Sequence, residues 1–175
     1  MDFNGDQQYQ NFLRQKNFSL ENKGFDVPIE NINPLLFDFQ KAIVVWCLKR
    51  GRSAIFADCG LGKTPMQLEW ANQICKKTSG KILILAPLAV SHQTKQEGIK
   101  FGIKVNIIEK QDDIKAGISI TNYEKIHKFD VSVFDGVVLD ESSILKSFTG
   151  KTKNALIDMF QNTPFKLACS ATPAP

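Results

Sequence analysis

Two short stretches of this chain hold residue types whose spacing could do chemistry. The first is Ala57-Asp58-Cys59-Gly60-Leu61-Gly62-Lys63-Thr64. Gly60 and Gly62 let the backbone turn so that successive N–H groups point inward, and a helix beginning there adds the positive end of its dipole. An anion fits such a loop. Lys63 would reach the outer phosphates of a nucleotide and the Thr64 hydroxyl would ligate Mg²⁺. The consensus G-x-x-x-x-G-K-[ST] asks for Gly at position 57, where this chain has Ala. The bland alternative is a glycine-rich turn entering a helix with an incidental lysine. The second stretch is Asp140-Glu141-Ser142-Ser143, starting 77 residues after Lys63. Two acids at the carboxyl end of an apolar run suit metal-assisted hydrolysis: Asp140 holds Mg²⁺ and Glu141 polarises the attacking water. As simple caps of the following segment they would have only a structural role.

These residues need elements to position them. Short apolar runs predict strands at 53–57, 81–86, 104–109, 117–121, 136–140 and 165–169, and amphipathic stretches predict helices near 63–78, 90–101, 122–128 and 152–161. A further helix is expected from Leu35 to Arg50, where Leu36, Phe39, Ile43, Trp46 and Cys47 recur at helical spacing between Pro34 and a C-capping Gly51. Lys81-Ile-Leu-Ile-Leu-Ala86 and Gly136-Val-Val-Leu-Asp140 are apolar on both faces, as strands between two helix layers must be. The expected fold is α/β, a mainly parallel sheet flanked by helices with its ligand beyond the carboxyl ends of the strands. Residues 1–33, rich in Asn and Gln and ending in a turn-like Asn31-Ile-Asn-Pro34, are expected to form a loose N-terminal arm before a domain spanning 34–175.

Composition narrows the classes. The chain has 175 residues, 43% of them hydrophobic and 23% charged, which is the balance of one soluble globular domain. Its longest apolar run, Ile82–Val90, is half the ~18 residues a membrane-spanning helix needs. The polar, acidic start lacks the pattern of a secretory signal, so a cytoplasmic location is expected. Cys47, Cys59, Cys75 and Cys169 are too scattered for a zinc site or a disulfide scaffold. Cys59, inside the glycine loop, reads as a neutral spacer. Residues 1–40 carry three basic and six acidic side chains, the remainder nineteen and twelve. A body of +7 is compatible with a phosphate-rich partner without requiring one. Trp46 and Trp70 read as core anchors, His127 as a surface or half-buried helix residue, His92 as a local hydrogen-bonding group, and Lys146, Lys151 and Lys153 as a solvated face.

Taken in order, the motifs resemble those of the superfamily-two helicases and translocases, in particular the chromatin-remodeller-like and phage-encoded branch, over residues 35–175. Ala-x-x-Gly-x-Gly-Lys-Thr is that superfamily's own form of motif I, which accounts for Ala57. Asp140-Glu141-Ser142-Ser143 resembles a phage variant of motif II, followed by a matching Lys146. Phe39-Gln40 resembles the Q motif, whose Gln reads adenine. Ala86-Pro87-Leu88 with Ser91-His92-Gln93 resembles motif Ia, and Thr121-Asn122-Tyr123-Glu124 resembles motif Ib. Ser170-Ala171-Thr172 resembles motif III.

The resemblance implies a P-loop, RecA-like lobe that binds ATP and Mg²⁺. Gln40, Gly60, Leu61, Gly62, Lys63 and Thr64 would hold the nucleotide, Thr64 and Asp140 the metal, and Lys63, Asp140 and Glu141 would serve catalysis. Pro87, Ser91, Thr121 and Asn122 would touch DNA or RNA, and Ser170 and Thr172 would couple hydrolysis to strand movement. Motif II departs from the DEAD and DEAH forms at its third and fourth residues. The sequence also stops just past motif III, so the second RecA-like lobe and its arginine finger are expected to be missing partners, leaving an isolated lobe nearly inactive. Two other readings of the same loop are a self-contained small-molecule kinase and a module that binds nucleotide or DNA without hydrolysis.

Overall fold

The computed structural model describes residues 23–146 and 150–172. Six strands form one sheet: β1 (Arg52–Phe56), β2 (Lys81–Ala86), β3 (Val105–Ile107), β4 (Gly117–Asn122), β5 (Gly136–Leu139) and β6 (Phe165–Ser170). Their spatial order is β1-β6-β5-β2-β4-β3, and every neighbouring pair is parallel. The helices are α1 (Asp38–Arg50), α2 (Lys63–Thr78), α3 (Ser91–Lys100) and α4 (Gly150–Met159). The helix expected near 122–128 is instead a run of tight 3₁₀ turns over Tyr123–Lys128, opened by the Asn122 side chain, which accepts from Lys125 N at 2.9 Å.

Both faces of the sheet are covered, which is why its central strands read as unbroken apolar runs. Ile82, Ile84 and Ala86 of β2 point into a core shared with α1 and α2, including Val44, Leu48, Leu68 and Trp70. Leu83 and Leu85 point the other way, against Tyr123, Ile126, Phe129, Leu156 and Phe160. Trp70 is the largest fully buried side chain, as its apolar neighbours suggest. Trp46 is not a core anchor: it is 49% exposed, with the Arg50 guanidinium 5.5 Å from its ring centroid. It shares α1 with the exposed Phe39, so the buried stripe of that helix is narrower than its apolar spacing implies.

Residues 1–22 of the expected arm lie outside the described residues. Residues 23–33 are docked rather than loose. Lys23 and Phe25 donate their backbone N–H groups to Arg50 O and Leu48 O, and Ile32 is buried in the main core. The buried Glu69 carboxylate on α2 ties down the end of this segment: Oε1 accepts from Asn33 N at 3.2 Å and from Gln73 Nε2 at 2.6 Å, while Gln73 Nε2 also reaches Asn31 O at 2.8 Å. Asn33 adds a side-chain anchor, its Nδ2 donating to Phe101 O at 2.7 Å. No helix among the described residues is long and apolar enough to cross a membrane.

Candidate nucleotide site

At the carboxyl end of β1 the chain turns through the glycine loop into α2. Gly60 and Gly62 have φ of +83° and +77°, left-handed values that favour glycine. At Gly62 there is a second constraint, because a Cβ would stand 2.2 Å from Gln40 Nε2. Gln40 is buried and clamps the loop. Its Oε1 accepts from Phe37 N at 3.0 Å, satisfying one of the free N–H groups at the start of α1, and its Nε2 donates to Leu61 O at 3.0 Å. An amide has two N–H bonds and two lone pairs, so one of each remains for another partner. Lys63 is folded back over its own loop, Nζ donating to Ala57 O at 2.8 Å and Asp58 O at 3.2 Å. Pro65 occupies the first turn of α2, where a missing N–H is tolerated.

The strand order brings the two acids to this loop. β1 lies beside β6 and β6 beside β5, so the ends of strands far apart in sequence converge. Asp140, just past β5, is 7% exposed, and its Oδ1 accepts from Glu141 N at 3.1 Å. Burial pushes its carboxyl above the usual range, opposed by the Gln67 amide, the Glu141 N–H and the Lys63 charge, with the Glu141 charge adding to the upward push. A desolvated carboxylate of this kind gains from a cation placed beside it. Glu141 follows with φ of +50°, a left-handed conformation uncommon for a side chain of this size. Its Oε1 accepts hydrogen bonds from Ser143 Oγ and, at 3.4 Å, from Ser170 Oγ. Ser170 Oγ in turn accepts from Thr172 N at 3.0 Å. The end of β6 and the carboxylate pair are thus one hydrogen-bonded unit.

Two residues to which the sequence assigned no role of their own complete this setting. Tyr123 is buried and donates its hydroxyl to Asp140 O at 2.8 Å, and burial pushes that hydroxyl far above the ordinary tyrosine range. Gln67 lies on α2 one turn beyond Thr64 and is fully buried, and neither polar atom of its carboxamide has a hydrogen-bond partner among the described residues. Its signal was a lone polar residue between Met66 and Leu68, visible only as a break in an apolar pattern.

The residues expected along a nucleic-acid track are differently placed. Pro87 is half-buried, followed by exposed Leu88 and Ala89. Ser91 is buried while His92 and Gln93 are exposed. Thr121 and Asn122 are both buried, and the Asn122 side chain is spent on capping the following turn. His127 is exposed. The side chains of Lys146 and Lys151 lie outside the described residues, and Lys153 is exposed. An apolar cavity of about 190 Å³ lies under α4 on the other face of the sheet, lined by Val137, Leu139, Leu156 and Phe160, apart from the polar groups described above.

No protein-family model and no curated protein matches the chain. Solved structures do match. The UvsW helicase of bacteriophage T4 superimposes with a TM-score of 0.73 at 19% identity over 94% of this chain. This chain shares the fold of the matching part of that helicase, a parallel sheet flanked by helices. The Sulfolobus solfataricus SWI2/SNF2 ATPase core gives a TM-score of 0.67 at 23% identity over 91% of the chain, and the same core in complex with dsDNA gives 0.62 at 20% over 84%. The chain spans 40% of the T4 protein and 34% of each Sulfolobus core, so the fold is shared with only a part of each neighbour.

Proposed function

We propose that this chain is the ATP-binding lobe of an ATP-dependent DNA helicase or translocase, acting in the cytoplasm with a second lobe. The observation that carries this reading is the convergence of the glycine loop, Lys63 and Thr64 with Asp140, Glu141 and Ser170 at one carboxyl edge of the sheet. The donor set fits Mg²⁺: Thr64 and Asp140 offer hard oxygens, and Asp140 is a buried carboxylate. When bound, the metal would neutralise charge on the outer phosphates.

The remaining work falls to the chain. Lys63 would exchange its two neutral carbonyl partners for phosphate oxygens, replacing charge–dipole contacts by charge-assisted hydrogen bonds to an anion. The inward N–H groups and the N-terminus of α2 hold the phosphates. Glu141, held by Ser143 and Ser170, orients water and takes its proton. Its link to Ser170 gives the end of β6 a direct hold on the water-activating group, which supports a coupling role for Ser170 and Thr172. Gln40 sets the loop's position and has one N–H and one lone pair left for a base.

A second lobe is part of the proposal for an electrostatic reason. Arg52 opens β1 and donates to Thr163 O and Pro164 O, and Arg50 stacks on Trp46 at the same end of the sheet. Both are a strand's length from the glycine loop, so no described arginine can neutralise a transferring phosphoryl group. An arginine finger is worth ~10³–10⁵ in rate. The chain alone is therefore expected to bind MgATP and hydrolyse it barely above background, with DNA-stimulated turnover appearing when a second lobe is supplied. Calorimetry should find MgATP affinity at least ~10-fold weaker in Lys63→Ala. Equal affinity in wild type and variant would refute the site. Turnover that needs a small acceptor and ignores DNA would identify a kinase, and binding without turnover in the completed protein a non-hydrolysing module.

A further inference from the structure

We propose that Gln67 is a positioning residue for the metal, its carboxamide holding Asp140 in aim and taking part in the hydrogen bonding around the bound ion. This rests on the nucleotide-site reading above.

Three observations carry it. Gln67 is fully buried, yet neither its Nε2 nor its Oε1 has a hydrogen-bond partner among the described residues. A buried amide left in that state costs stability, so it needs a reason. The site supplies one. Thr64 and Gln67 are three residues apart on α2 and share a face of that helix, so the amide sits one turn beneath the hydroxyl that would bind the metal. The amide also lies beside the buried Asp140 carboxylate, on the helix that packs against β5, without reaching hydrogen-bond geometry. Gln67 thus stands beside both expected metal ligands and can serve each with a different atom. Nε2–H steadies the carboxylate, and Oε1 can accept from water around the cation.

Among the described residues no other polar group bonds the amide. Met66, Leu68, Trp70 and Ala71, its neighbours along α2, are all fully buried in the apolar core. A methionine of similar size would fill the same space without an unpaired polar group. A side chain chosen for packing alone would not be an amide here. Groups outside the ligand set that orient metal ligands commonly change metal affinity by 10–100-fold.

The test compares wild type with Gln67→Met in the full chain by three measurements: the thermal midpoint without ligand, ATP affinity in EDTA, and ATP affinity in excess Mg²⁺. The proposal expects the ligand-free midpoint of Gln67→Met to rise by ~2–4 °C, because an unpaired buried amide is removed. Affinity in EDTA is expected to stay within about twofold of wild type, since the loop and Lys63 are intact, while the gain produced by Mg²⁺ falls ~10-fold. Mn²⁺ binding in the presence of ADP, followed by electron paramagnetic resonance, should weaken in parallel. A Gln67→Met protein that folds and keeps the full Mg²⁺ gain overturns the proposal. So does a lowered midpoint with the gain unchanged, which would make the amide an ordinary core group. If Gln67→Met does not fold, Gln67→Ala is read for the Mg²⁺ gain alone, and an unchanged gain again overturns it. The wild-type arm tests the underlying reading separately: no ATP binding at all would refute the nucleotide site and this inference together, whereas binding with a Mg²⁺ gain in both proteins would refute only the role of Gln67.

Discussion

Replacing Gly62 by alanine separates the two things this glycine does. At φ +77° an alanine pays the left-handed penalty of ~1–2 kcal/mol, as any L-residue would. The new Cβ would also stand 2.2 Å from Gln40 Nε2, so the amide must leave. Its departure breaks the bond to Leu61 O, worth ~0.5–1.5 kcal/mol, and disturbs the one from Phe37 N that caps α1, worth ~1 kcal/mol. The total is about 3 kcal/mol. Gly60 supplies the control, because it has φ +83° and nothing within 4 Å of a Cβ, so Gly60→Ala should cost only the ~1–2 kcal/mol of backbone strain. Gln40→Ala removes the obstacle and the two bonds at once. Combined with Gly62→Ala it should therefore cost about 1–2 kcal/mol less than the sum of the single changes. Urea unfolding of wild type and these four variants, extrapolated to water, measures the cycle and its control. Additivity within ~0.5 kcal/mol, or equal costs at Gly60 and Gly62, would show that Gln40 does not clamp the loop.

Further expectations concern the chemistry. Asp140→Asn should lose the ~10-fold or greater tightening of nucleotide binding by Mg²⁺, whereas Glu141→Gln should keep ATP and lose ~10²–10⁴ in turnover of the two-lobe protein; full turnover would show that Glu141 is not the base. Cys59 is the exposed thiol, since Cys47 and Cys169 are buried and burial pushes Cys75 up to about 11. Iodoacetamide near neutral pH should modify Cys59 first, and ATP at about ten times its Kd should slow the reaction ~10-fold; an unprotected Cys59 would place the nucleotide elsewhere. Tyr123 should keep its proton in the folded protein while the unfolded chain loses it near pH ~10, so the folded state holds the extra proton and stability falls as pH rises past that value. Unfolding midpoints between pH 8 and 11 should decline less in Tyr123→Phe, and identical slopes would contradict the buried bond to Asp140 O.

The features legible without a structure are the local ones. Gly60, Gly62, Lys63 and Thr64 are contiguous, and the turn, the inward N–H groups and the helix start they specify need no distant residue. The strands were legible because burial on both faces writes continuous apolar runs such as Lys81–Ala86 into the chain. Only tertiary structure decided what these segments meet. Placing β6 between β1 and β5 joins residues more than a hundred positions apart, and it is this order that brings Ser170 to Glu141 and the loop to Asp140. Helical spacing marked both tryptophans as apolar, yet Trp70 faces the sheet and Trp46 faces out, because periodicity defines a stripe without saying how much of it the neighbouring layer covers. The docking of residues 23–33 depends on Glu69 and Gln73 of a helix some forty residues away. Gln67 is the clearest case: as a letter it is one polar residue in a helix, and only full burial beside Asp140 makes an unpaired amide costly enough to require a partner.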